Sequence, residues 1–231
     1  MNQLTFETNN SKKIIESDFL LRVSEKQYIE STRKGKLYMN SLGFFRAMEQ
    51  EGIGDKQEGI MISNGTGILL FEGQVLAEFK NMKTYINCPI FCALSIDLKQ
   101  IEKGHYEFVI PPKMLQEIMV DKTKQYEILL FEKKEFMKRI EQALIREGLQ
   151  GAMGRVEYTD EIKMFSKEEA YNFAFRKSPQ FSHQKEWRLV LHMNIDKNQH
   201  YILDVGDISD ITHQYSIDNS KQEFKLEVYT I

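Results

Sequence analysis

Residues 60–96 read IMISNGTGILLFEGQVLAEFKNMKTYINCPIFCALSI, and this stretch decides the fold class. Its apolar runs, at 60–63, 68–71, 75–79, 84–87 and 90–96, are too short for stable helices. They are rich in Ile, Val, Phe and Tyr and are broken by turn-forming residues, which is the pattern of consecutive strands. Asn64-Gly65 is a two-residue hairpin signal, so the segment is expected to be a meander of short strands.

The flanks supply helices without imposing a strict strand-helix alternation. Upstream, residues 19–23 read as a strand. Ser24 followed by Gln27 predicts a capping-box start for a helix that ends before Gly35. Residues 37–40 return as a strand, and Phe44, Phe45 and Met48 suggest a short second helix ahead of a glycine-bearing loop at 51–59. Downstream, residues 106–110 form a strand that Pro111-Pro112 stops, a short helix covers 113–120, and 126–131 are strand-like. Phe136, Ile140 and Leu144 recur at i, i+4 and i+8, one stripe of an amphipathic helix over 133–147 that Gly148 closes. Strands are expected at 155–158, 185–192, 200–205 and 224–229, with a helix at 167–175. The pattern is that of an α+β fold, a single domain over 1–231 with a mostly antiparallel or mixed sheet of short strands and several flanking helices.

Composition narrows the function classes. With 231 residues, 42% of them hydrophobic, folding buries roughly 70% of the unfolded chain's surface, enough for a core without metal or disulfide staples. The 31 basic and 34 acidic residues give a net charge of -3 with no cationic run, which argues against a nucleic-acid backbone as partner. No apolar run approaches the ~20 residues of a membrane span, and residues 1–10 are polar rather than signal-like. A cytoplasmic location is therefore expected. Cys88 and Cys92 lack the spacing and the Cys/His company of a zinc site and are expected to be free thiols. The histidines show no metal-ligand spacing, and no metal site is predicted.

Candidate chemistry concentrates in Phe181-Ser182-His183-Gln184-Lys185-Glu186-Trp187-Arg188-Leu189-Val190-Leu191. In an extended strand Trp187, Leu189 and Leu191 share one face, and Gln184, Glu186 and Arg188 the other. The polar face fits either a ligand site, with Glu186 accepting a hydroxyl and Arg188 binding a phosphate, or a salt-bridged surface strand. Asp55 and Glu58, between glycines, are a second candidate. Arg22 interrupts an apolar strand, so it is either one end of a structural ion pair or a phosphate clamp. Tyr38, Asn40 and Ser41, on or just after the next strand, are candidates to line the same cleft.

Several of these blocks, taken in order, resemble a widespread family of bacterial and phage proteins described as a domain of unknown function. They are Gly35-Lys36-Leu37-Tyr38-Met39-Asn40-Ser41, Asp55 with Glu58-Gly59, Phe91-Cys92-Ala93-Leu94-Ser95, Val156-Glu157-Tyr158, and Phe175-Arg176-Lys177 through Phe181, Glu186 and Arg188. Where that family usually has Asn-Asp-Pro-Phe-Glu, this chain has Gly54-Asp55-Lys56-Gln57-Glu58. The order of Arg22, Ser95 and Gln184-Lys185-Glu186 is in turn similar to ADP-ribosyltransferases, although their Ser-Thr-Ser centre is absent. That resemblance implies NAD as cofactor, with Arg22 on its pyrophosphate and Gln184 and Glu186 as catalytic residues. Glu186 would bond the nicotinamide ribose and stabilise an oxocarbenium-like transition state. The expected function is thus a polar cleft for a nucleotide or another phosphate-bearing metabolite. The alternative is a non-catalytic, phage-encoded interaction protein that inhibits or sequesters a host factor, with the same charges serving as salt bridges.

Overall fold

Strand β5 (Pro89–Glu102) organises the sheet, because its 14 residues are enough to carry four partners. The computed structural model describes residues 14–48, 55–71, 73–160, 167–217 and 224–229. Leu94 of β5 pairs at once with Leu21 of β1 (Ile14–Glu25) and with Glu186 of β11 (Glu186–Leu191), which places β1 and β11 on opposite edges. Four residues earlier, Ile90 pairs with Val190 of β11 and with Asn40 of β2 (Lys36–Ser41). So β1 and β2 share one edge of β5. Strand β6 (His105–Val109) joins the edge that β11 leaves, because Lys99 faces both Ile14 and Glu107. Between Ile90 and Leu94 the β1/β2 edge carries no strand, and the sheet forks there.

Further strands extend each arm. β7 (Tyr126–Glu132) and β13 (Thr212–Ser216) follow β1, β12 (His200–Asp204) follows β2, β8 (Gly151–Arg155) follows β11, and β14 (Lys225–Tyr229) follows β6. Among the described residues, ten strands join this sheet and every ladder in it is antiparallel. The fold is α+β, as the strand-rich pattern predicts.

One face of the sheet packs against α1 (Lys26–Arg33) and α4 (Lys133–Glu147). The predicted stripe is buried as expected: Phe136, Ile140 and Leu144 join Leu20, Phe91, Phe131, Trp187, Leu189 and Leu191 in one core. Phe131 and Phe136 pack with ring centroids 4.6 Å apart and planes tilted by 32°, and Gly148 closes α4 at φ 65°, the left-handed cap that glycine adopts without strain. The opposite face divides. α3 (Pro112–Ile118) covers Leu94, Ile96 and Leu98, whereas α2 (Leu42–Ala47) and the 3-10 helix Lys167–Phe175 cover Ile90 and Val190.

Four expectations need correction. Asn64-Gly65 does not turn a hairpin: β3 (Ile60–Phe71) runs through it as a bulge, its register shifting between Ser63 and Thr66, and pairs with β4 (Gln74–Tyr85). The reversal comes at Gly73, whose φ of 82° satisfies the turn instead. Ser24 does not cap α1, because it is still paired to Glu127 in the β1–β7 ladder; the helix starts one residue later behind Glu25, without a side-chain cap. The strand expected at 155–158 is two. β8 ends at Arg155, Val156 N bonds Glu186 O, and β9 (Glu157–Tyr158) pairs with β10 (Arg176–Lys177). Lastly, β11 is not a surface strand on its polar side: Arg188 is as deeply buried as Trp187, 1% exposed each.

Candidate functional site

The fork between β1 and β2 opens into a cavity of about 290 Å³ on the face opposite α4. Its floor is Ile90, Cys92 and Leu94 of β5, and its walls come from β1, β2, α2, α3 and β11. Six of the nine residues singled out from sequence line it: Arg22, Tyr38, Asn40, Gln184, Glu186 and Arg188. The other three, Ser41, Asp55 and Glu58, lie outside the lining.

Arg22 sits at the fork itself. Its Nη1 donates to the carbonyl of Cys92 at 2.6 Å, a peptide group in the stretch of β5 that neither β1 nor β2 pairs. The guanidinium lies 4.5 Å from the centre of the Phe91 ring, a cation–π contact. Its Nε is shielded from solvent and has no hydrogen-bond partner among the described residues. Burial pushes the group's pKa down, opposed by the nearby Cys92 thiol, and no carboxylate among the described residues offsets it. Glu186 lines the same cavity but does not pair with Arg22.

Glu186 is engaged elsewhere. Its Oε1 accepts from Lys177 at 2.7 Å and its Oε2 from Arg188 Nε at 2.7 Å. Arg188 also binds Glu58 Oε1 at 2.6 Å and the Ala174 carbonyl at 2.5 Å, while Lys177 reaches Glu58 at 3.3 Å and Gln184 Oε1 at 2.6 Å. Two cations and two carboxylates thus form one charge-balanced network. Burial alone raises the Glu186 carboxyl, but Arg188 and Lys177 outweigh it and hold it down to about 2. Glu58 is the second buried counter-ion of this network, paired with Arg188 and Lys177.

Asp55 and Ser41 are structural in the same sense. Asp55 is buried and accepts from Ser178 N at 2.7 Å and Gln57 N at 2.8 Å, tying its loop to the segment that leads into the 3-10 helix Pro179–Gln184. Ser41 caps α2, accepting from Phe44 N at 3.0 Å and donating to the Lys197 carbonyl at 2.6 Å. Hydrogen bonds to backbone groups hold both side chains outside the cavity lining.

Sequence reading missed Lys177 and Glu117. Lys177 is 2% exposed at the heart of the network. Glu117 of α3 lies on the cavity wall, bonded to His183 Nε2 at 3.0 Å and to Gln184 Nε2 at 3.1 Å. Both belong to ordinary-looking polar stretches, and only the Lys177 block carried a signal, through its place in the family-like order. Tyr38 and Asn40, by contrast, are where expected. Tyr38 is braced by His200, with ring centroids 4.6 Å apart and 24° between planes, and the Asn40 carboxamide makes no hydrogen bond among the described residues.

Cys92 and Cys88 are free thiols, both pushed up to about 12 chiefly by burial. Among the described residues no group of three or more His, Cys, Asp or Glu is placed to hold a metal ion, and no helix is long and apolar enough to cross a membrane. No family model matches the chain, and neither a curated protein nor a solved structure matches it.

Proposed function

We propose that this chain binds a small phosphate-bearing metabolite of the nucleotide class in the fork between β1 and β2. Arg22 carries the reading. A guanidinium withdrawn from water is costly unless an anion compensates it, and among the described residues Arg22 has one carbonyl hydrogen bond, a partnerless Nε and no carboxylate beside it. An anionic ligand supplies what is missing, and charge-assisted bonding by a planar guanidinium is the usual way to hold a phosphate. Tyr38 and Phe45 give the cavity aromatic surface for a ring, and Asn40 adds an amide with donor and acceptor unspent.

The test is calorimetric titration with a nucleotide panel, beside melting curves. A ligand at a hundred times its dissociation constant adds ~2.7 kcal/mol of stability. Arg22→Ala is expected to weaken binding by about 1.5–3 kcal/mol, the scale of a charged hydrogen bond. Wild type that binds no member of the panel removes this function.

A transferase reading draws on the presence of Gln184 and Glu186 in the same cavity as Arg22. In that reading Glu186 acts as an anion, which its low pKa favours, and Glu186→Ala abolishes NAD turnover while sparing NAD affinity. The interaction-protein reading rests on a different surface: Ile68, Leu70, Val75 and Leu76 stand exposed on the β3–β4 ribbon. It prevails where the cavity binds nothing and both Arg22→Ala and Glu186→Ala lower the melting point sharply.

A further inference from the structure

We infer that the cavity selects a nucleoside bearing a single phosphate and discriminates against di- and triphosphates and against an intact dinucleotide. The inference rests on the nucleotide-binding reading and names its ligand class.

Charge balance in the cavity sets the preference. Three cationic side chains line the cavity: Arg22, Lys177 and Arg188. Lys177 and Arg188 are neutralised by Glu58 and Glu186 at 2.6–3.3 Å, so their fields largely cancel at any distance beyond the network. Arg22 alone retains an uncompensated charge. A phosphate placed on it is matched once. Further phosphates extending along the cavity meet no second uncompensated cation, because Glu186 and its partners are already balanced, and they approach Glu117, a carboxylate on the wall beside His183 and the exposed Lys113.

Size points the same way. At about 290 Å³ the cavity falls at the lower end of small-molecule sites, which span ~300–1,000 Å³. One ring and one sugar phosphate suit that space better than two nucleotides joined through a pyrophosphate. The ring end is set by Tyr38, held in place by its stack on His200, with the Asn40 amide free to bond a base edge.

The experiment is titration of the full chain at constant ionic strength with adenosine, AMP, ADP, ATP and NAD, and with the guanosine series. AMP or GMP is expected to bind tightest of its series. ATP or GTP should bind roughly tenfold or more weakly, since repulsion of a kcal/mol or two converts to that factor. Arg22→Gln is expected to erase the preference for the monophosphate over the bare nucleoside, and Arg22→Lys, which keeps the charge, to preserve part of it. Glu117→Gln should narrow the gap between mono- and triphosphate. Wild type that binds ATP, GTP or NAD as tightly as the monophosphate overturns this inference and leaves nucleotide binding standing. If nothing in the panel binds, both fall together.

Discussion

Arg188 Nη2 and Glu58 Oε1 lie 2.6 Å apart with side chains 1% and 0% exposed, although 130 positions separate them in the chain. This pair anchors the loop that carries Asp55 and Glu58 to the back of β11. Removing one partner of such a pair leaves a charge buried without compensation, at a cost of about 3–5 kcal/mol. Glu58→Gln is therefore expected to lower unfolding stability by that order in urea titration. Pairing it with Lys177→Met restores the balance of one cation and one carboxylate and should recover part of the loss. A single variant within about 1 kcal/mol of wild type is incompatible with a buried network.

The pH profile follows from Glu186. In the unfolded chain its carboxyl titrates near 4.5, and in the folded protein Arg188 and Lys177, overcoming burial, hold it to about 2. A depressed carboxyl stabilises the fold fully above the unfolded value and loses that contribution as pH falls toward the folded one. Stability should therefore drop between about pH 4.5 and 2. Exposed carboxylates such as Asp204 and Asp210 are also shifted down, by Lys36 and Arg139, so the measurement is a difference. Glu186→Gln should flatten the drop in that window relative to wild type. Parallel profiles for the two proteins contradict the assignment.

Both cysteines should resist alkylation in the native state. Their thiols are pushed up to about 12, mainly by burial, so thiolate is scarce at pH 8. Iodoacetamide is expected to label native protein at least about a hundredfold more slowly than the same protein in urea, where both thiols return to ordinary values. Rapid native labelling of Cys88 would show that the core beneath α2 opens.

How far these features were legible depends on the range of the forces behind them. The α4 stripe was readable from Phe136, Ile140 and Leu144, because helical periodicity is local and the core simply accepts it. Arg22 was conspicuous for a similar reason, a charge in an apolar strand that must find some partner. Its actual partner, the Cys92 carbonyl, was not readable, since that group is left free only by the parting of β1 and β2 from one edge of β5. Lys177 looked like any surface lysine. Its burial depends on the chain turning back at Pro179–Gln184 to bring Gln184 and Glu186 onto it, and on Glu58 arriving from a distant segment. Asn64-Gly65 misled because a turn and a bulge ask the same of the backbone locally, and the strand pairing across β4 chose between them.

Lys185 provides the last prediction, because it is the only non-glycine among the described residues with a positive φ, 45°. It occupies the left-handed region between the 3-10 helix Pro179–Gln184 and β11, and its carbonyl accepts from Ser95 N at 2.8 Å. That kink lets Gln184 and Glu186 both face the cavity although one ends a helix and the other starts a strand. A side chain in this region costs roughly 1–2 kcal/mol, more when it branches at Cβ. Lys185→Gly should therefore match or exceed wild-type stability. The Lys185–Asp97 contact it removes is partly exposed at 3.6 Å and worth little. Lys185→Val should destabilise by about 1–2 kcal/mol or more and disturb the cavity with it. Chemical denaturation of the two variants side by side decides the matter. Equal stability for valine and glycine would mean that the backbone at Lys185 relaxes out of the left-handed region, and the shared orientation of Gln184 and Glu186 would then need another cause.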